Sequence, residues 1–223
     1  MSGNGLNRLM ASSEQHLFPP SAPFPVLHGH GLRLRHWDAT SEADVETWLR
    51  GRTDPEFQRW NTPLKAMNDL VDARASLAEK ALAAPERTVA DYCVTDAATG
   101  AALGHISVDA INPVMRTGRI GYWVLPEARG RGVASRSLAV VSRWALDELK
   151  LQRLELGHAL GHEASCRVAE RCGYGYEGTL RGAMFAEGRV DRFRDMHLHG
   201  RVAGDPEPRL RPHPADADPT RQN

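Results

Sequence analysis

A chain of 223 residues suits one domain with tails and is long enough to bury a sizeable core without disulfides or metal. Its 28 lysines and arginines balance its 28 aspartates and glutamates, so no global field draws it toward nucleic acid or an anionic membrane, and any anion site must be local. Cys93, Cys166 and Cys172 are odd in number and form no C-x-x-C pattern, which excludes a disulfide scaffold. No stretch reaches about 18 consecutive apolar residues and no basic leader precedes an apolar run, so a soluble cytoplasmic protein is expected.

Residues 1–25 are polar and close on Pro19, Pro20, Pro23 and Pro25, which predicts an extended or disordered arm. The alternation of Leu32 to Trp37 predicts a half-buried strand. Helices are predicted from Asp44 to Arg52, on the spacing of Val45, Trp48 and Leu49, and from Asn68 to Ala84, before Pro85. Thr88 to Thr95, Leu103 to Ile111 and Arg119 to Leu125 read as three strands of a meander, the first two joined at Thr99-Gly100. From Val133 to Leu149 one long amphipathic helix is expected, with Ala134, Leu138, Val141, Ala145 and Leu149 on a stripe. Arg153 to His158 follows as a strand parallel to the one before the helix. A short helix around Ser165 to Cys172 ends at Gly173, and a last strand runs from Arg192 to His199. Residues 204–223, punctuated by five prolines, are expected to have no fold of their own. A mixed α/β domain over residues 26–203 results, with a mostly antiparallel sheet and one βαβ crossover.

The segment Arg129, Gly130, Arg131, Gly132, Val133, Ala134 stands between a strand and a helix. Its glycines permit a tight turn and close ligand approach, the helix start offers unpaired amides, and the flanking arginines add charge. A diphosphate is the natural occupant. No GxxxxGK[ST] is present, and no GxGxxG opens a helix in a βαβ unit. The competing reading is an ordinary glycine-containing surface turn.

What stands here is Arg-x-x-Gly-x-Ala, which resembles the acyl-CoA loop of the GCN5-related N-acetyltransferases. The stretch His158 to Gly178 resembles that family's strand, helix and Gly-aromatic block. Thr53 to Trp60 is similar to the acceptor-side helix of its RimJ/RimL-like subgroup. The resemblance spans about residues 26–203 and implies the GNAT fold, acetyl-CoA as co-substrate and an amine acceptor. It implies backbone donation to the pyrophosphate by Arg129, Gly130, Arg131, Gly132, Val133 and Ala134. It also implies that the strand ending at Val124 and Leu125 splays from the strand ending at His158, leaving the amides of Val124 and Leu125 to hold the thioester and pantetheine.

Ser165 occupies the serine of the family's Asn-x-Ala-Ser pattern, and its implied role is to protonate the departing thiolate. A first-turn serine satisfying backbone groups is the other reading. His162 replaces the pattern's asparagine, so a cofactor contact there would come from imidazole. Met184 aligns where RimL-like enzymes carry a glutamate, and no general base is evident. Asp109, His105 and Glu177 are the remaining polar candidates.

His28 with His30, and His197 with His199, share strand faces. Two histidines without a third ligand make an incomplete site, so no metal is expected. Trp37, Trp48, Trp60 and Tyr92 read either as acceptor-pocket lining or as core. The expectation is direct attack of a primary amine on the acetyl thioester, by a monomer or homodimer, with no covalent enzyme intermediate. The acceptor is a protein or peptide N-terminus, or alternatively a small amine such as a polyamine, amino acid or antibiotic. A non-catalytic acyl-CoA-binding protein is the rival from another class. Nucleic-acid and membrane partners are not expected. Translation starting at Met1 or at Met10 is left open.

Overall fold

The computed structural model describes residues 23–210. Most of the expected N-terminal arm, the end of the expected tail, Met1 and Met10 lie outside these residues. Eight strands form one sheet: β1 Leu27–Gly29, β2 Leu32–Arg35, β3 Ala90–Asp96, β4 Ala102–Asn112, β5 Thr117–Val124, β6 Arg153–Ala159, β7 Gly175–Ala186 and β8 Arg189–Val202. Their spatial order is β1-β2-β3-β4-β5-β6-β8-β7. Every neighbouring pair is antiparallel except β5 and β6. That parallel pair requires a crossover, and the chain supplies it as a helix. The helices are α1 Glu42–Thr53, α2 Pro55–Trp60, α3 Leu70–Ala83, α4 Val133–Arg143 and α5 Glu163–Arg171. Among the described residues no helix is long and apolar enough to cross a membrane.

The core lies between sheet and helices. Leu34, Tyr92, Ile106 and Val108 from the strands meet Val45 and Trp48 of α1 and Leu138 and Val141 of α4, all buried. Local caps hold the helices in place. Asp69 accepts from the amides of Val71 and Asp72 at the start of α3, and Asp54 ends α1 while capping α2 through Phe57 N–H at 2.8 Å.

The predicted helix over Val133–Leu149 stops early. Past Arg143 the backbone widens into a π-helical turn over Trp144–Glu148, closed by Leu149 N–H donating to Trp144 O at 3.0 Å. Three consecutive residues, Trp144, Ala145 and Leu146, are buried there, more than one α-helical stripe can turn inward. Trp144 packs edge-on against Phe24, with ring centroids 5.3 Å apart.

Two boundaries need correction. The N-terminal segment is tied down from Phe24, which is buried and whose carbonyl oxygen lies 2.6 Å from His36 Nε2. The segment after Gly204 is also bound, because the Arg201 guanidinium donates to Glu207 Oε1 at 2.8 Å and Leu210 packs against the core. Neither β1 nor β7 was expected. β7 is an edge strand, mostly exposed and broken by register shifts, so it carries no alternating apolar pattern to read.

Candidate functional site

The registered pairing of β5 with β6 covers only Thr117–Arg119 against Arg153–Glu155. Beyond those pairs the strands diverge, and a cleft of about 370 Å³ opens, lined by Tyr122, Trp123 and Val124 of β5. The divergence matches the expected splay, although the ladder irregularity lies on β4 between Asp109 and Asn112. One expectation fails. Leu125 N–H donates to Leu103 O at 2.9 Å, and Leu125 is buried, so its amide is not available to a ligand. Alternation in an antiparallel ladder then turns the amides of Val124 and Tyr122 the other way, toward the gap. The pair to consider is therefore Tyr122 and Val124.

The loop after β5 closes one end of the cleft. Gly130 and Gly132 sit at φ 73° and 71°, a region that favours glycine. A Cβ at either would meet nothing within 4 Å, so the space above the loop is open. Gly132 is the N-cap of α4 and brings no side-chain acceptor. The first helical bond runs from Arg136 N–H to Gly132 O, which leaves the amides of Val133, Ala134 and Ser135 without intrahelical partners. Gly130, Gly132, Val133 and Ala134 all line the cleft, together with Arg129. The Arg129 side chain is committed elsewhere, however. Its guanidinium pairs with Asp54, and its Nε donates to Val124 O at 3.1 Å. Arg129 thus straps the loop to α2 instead of offering a free charge. Arg131 is exposed, and its carbonyl accepts from Arg136.

The opposite wall comes from α2 and α5. Phe57, Trp60 and Asn61 face His162, Ser165, Arg167 and Arg171. His162 lies flat on Trp60, with centroids 4.5 Å apart and planes 4° from parallel. Burial pushes the imidazole down to about 4, so it faces the cleft neutral. Ser165 is 4 % exposed, and its Oγ is 2.7 Å from Tyr122 Oη. Burial pushes the Tyr122 phenol up to about 12, with the Ser165 hydrogen bond opposing, so the phenol keeps its proton and the pair can pass one along. Arg167 and Arg171 add cationic charge one turn apart on α5.

Sequence reasoning missed Tyr122, Arg167 and Arg171. The i, i+4 spacing of the two arginines was legible. The Tyr122 partnership needed the fold, because 43 positions separate it from Ser165. Asp109, His105 and Glu177 do not line the cleft. Asp109 accepts from Ser107 Oγ, and Glu177 is paired with Arg153. His105 is enclosed by Trp37, Trp48 and Trp123, so of the four aromatic candidates Trp37, Trp48 and Tyr92 are core and Trp60 alone lines the cleft. The strand histidines also need correction. His197 and His199 are not isolated, because His158 and Cys166 bring ligand atoms to the same spot.

Residues 32–175 match the sequence model of a family described as Acetyltransferase (GNAT) domain. The chain belongs to the GNAT family. Among its GNAT relatives, the ribosomal-protein-serine acetyltransferase of Escherichia coli (strain K12) is 30% identical over 100 residues, 45% of this chain and 54% of that protein. For two curated relatives the match spans about half of their own length, 49% and 54%. Among solved GNAT structures, RimL, a ribosomal L7/L12 alpha-N-protein acetyltransferase in complex with Coenzyme A, superposes with a TM-score of 0.68 at 21% identity. That match covers 81% of this chain and 98% of the other. MccE, a Microcin C7 self immunity acetyltransferase in complex with Acetyl-CoA and AMP, gives a TM-score of 0.68 at 16% identity, covering 78% and 93%.

Proposed function

We propose that this GNAT domain transfers acetyl from acetyl-CoA to a primary amine, with a protein or peptide N-terminus as acceptor. One observation carries the reading: the uncapped amides of α4 and the Ser165–Tyr122 hydroxyl pair line the same cleft. A diphosphate fits the first, because open amides at a helix start attract anions and the glycines leave room for it. Arg167 and Arg171 on α5 favour the same charge. An extended amide arm fits the β5 edge, where Tyr122 and Val124 point into the gap.

Acetyl-CoA supplies the activated acyl group as its thioester. The residues of the chain do the rest by positioning and by holding protons. A peptide α-amine, with a reference pKa of about 8, must first give a proton to water. Its nitrogen then bonds to the acyl carbon as the carbon–sulfur bond breaks. Ser165 Oγ–H gives its proton to the departing sulfur, and Tyr122 Oη–H, 2.7 Å away, restores it from its own hydroxyl. The nitrogen releases its second proton to solvent, and solvent returns a proton to Tyr122 Oη, so both hydroxyls end the turnover as they began it.

The acceptor class rests on the relatives named for ribosomal-protein acetylation. Thiol release from acetyl-CoA is measured across N-terminal peptides, polyamines, amino acids and aminoglycosides, with Gly132→Glu as the loop control. The expected result is turnover on N-terminal peptides and its loss in Gly132→Glu, whose side chain carries negative charge into the anion loop. Turnover confined to small amines would replace the acceptor class. CoA binding that does not depend on Gly132 would overturn the site.

A further inference from the structure

Behind Ser165, on the face of the sheet that α5 covers, four side chains converge that the acetyl-transfer reading does not use. His158 on β6 stands directly opposite His197 on β8, and His199 shares that face two residues on. Cys166 reaches them from α5. One ligand atom from each of His158, Cys166, His197 and His199 lies within 4.8 Å of all the others.

The hydrogen bonding of the two inner histidines sets their tautomers. His158 Nδ1 is 3.0 Å from Ala159 O, and His199 Nδ1 is 3.3 Å from Tyr174 O. A carbonyl oxygen can only accept, so each Nδ1 carries the ring proton and each Nε2 presents a lone pair. These two Nε2 atoms face each other at 3.3 Å. Two lone pairs at that separation repel, unless a cation stands between them. His197 Nδ1 is also buried without a hydrogen-bond partner.

The spacing fits a particular ion. Zinc bonds of about 2.0 Å to nitrogen and 2.3 Å to sulfur, at tetrahedral angles, place two nitrogens about 3.3 Å apart and nitrogen about 3.5 Å from sulfur. The observed separations are 3.3 Å for His158 Nε2 to His199 Nε2 and 3.5 Å for Cys166 Sγ to His199 Nε2. Cys166 Sγ also approaches Glu170 Oε1, at 3.7 Å. Three imidazoles and a thiolate suit zinc over the oxygen-seeking magnesium and calcium. His158 and His199 are 4 % and 0 % exposed, and the Tyr176 ring lies 5.1 Å from that of His197 and 5.6 Å from that of His199. Four protein ligands, His158 and His199 buried and Cys166 and His197 half-buried, describe a structural site with no ligand position left for substrate. The carbonyls behind the two Nδ1 atoms are the outer partners that orient ligating histidines.

We propose that His158, Cys166, His197 and His199 bind one zinc ion, which clamps β6, α5 and β8 together. Binding replaces the Cys166 S–H bond with a sulfur–zinc bond and releases that proton to solvent. The inference does not rest on the acetyl-transfer reading, since none of the four residues is assigned to the cleft.

The test uses the full chain, purified without a histidine tag from zinc-supplemented medium. Elemental analysis is expected to give one zinc per chain. After chelator stripping, zinc should raise Tm by about 5–10 °C at a hundredfold excess over Kd, with release of a proton. Cobalt in place of zinc should give a tetrahedral visible spectrum with a thiolate charge-transfer band. Cys166→Ser should abolish that band, and His197→Gln should weaken zinc binding at least tenfold, while His28→Gln should bind as the parent does. The decisive measurement is on the parent chain, so a variant that fails to fold leaves the proposal open to refutation. A folded, stripped parent that takes up no stoichiometric zinc and shows no Tm rise would overturn it. So would zinc bound as tightly by the folded Cys166→Ser, His197→Gln double variant.

Discussion

His105 is enclosed by three tryptophans and accepts a hydrogen bond from Trp37 Nε1–H at its Nδ1, 3.1 Å away. Burial pushes its imidazole down from 6.5 to about 4, with Asp91 opposing and with Lys80 and Arg52 reinforcing the shift. A folded-state value below the unfolded one means that the unfolded chain takes up a proton first as pH falls. The neutral histidine therefore contributes its full stability above pH 6.5, and about 3 kcal/mol is lost between pH 6.5 and about pH 4. Denaturant unfolding across that range should show this slope, and His105→Gln should flatten it. The hydroxyl pair makes a separate prediction. Ser165→Ala should lower kcat by about 10²-fold with CoA affinity little changed. Tyr122→Phe should cost less, because water can restore the serine proton. Equal kcat in the parent and Ser165→Ala would remove Ser165 from the chemistry. Ser165 was readable because a four-residue pattern marks it, whereas Tyr122 lies inside an apolar strand run and looks like core until α5 is seen packed beside it.

At the level of elements, the meander β3-β4-β5, helices α1 and α3, and the crossover through α4 were legible, from apolar spacing in the helices and from apolar runs bounded by turns in the strands, β3 and β4 burying both faces. What periodicity could not show was where two elements touch. Gly51 lies within α1, where helix propensity favours alanine by about 1 kcal/mol. Yet a Cβ on Gly51 would overlap the six-membered ring of Trp123, on the floor of the cleft. Overpacking of this kind costs about 1–3 kcal/mol and outweighs the propensity gain. Gly51→Ala should therefore lower the denaturation midpoint, and the displaced indole should raise KM for the acyl donor. The strap from Arg129 to Asp54 was equally hidden, because 75 positions separate the two residues. Arginine beside a glycine loop reads as a phosphate ligand, and only the position of α2 reveals it as a brace. Asp54 meanwhile caps α2 and receives Arg129, so one carboxylate aligns the wall of the cleft with its anion loop.

Over the whole molecule, the proline-rich ends were read as free ends, whereas Phe24 is buried and Glu207 pairs with Arg201. A proline excludes a helix or ladder without excluding packing. The C-terminal closure has a measurable weight. Arg201 is 1 % exposed, and its Nε and Nη1 are buried without hydrogen-bond partners, so Glu207 is its ion-pair partner among the described residues. Glu207→Ala should destabilise by about 1–3 kcal/mol, seen as a lower midpoint with an unchanged m value.

Three residue pairs hold β5 to β6, so the sheet is two sub-sheets sharing a short seam. A molecule lying in the gap would complete that ladder with its own amides and act as a ninth, removable strand. Cohesion between the two halves would then rise when the gap is filled. Amide hydrogen exchange at Tyr122 and Val124 should slow when CoA binds, and the ends of β5 and β6 should then exchange as one cooperative unit. Unchanged exchange at both amides would mean that the seam carries the domain alone.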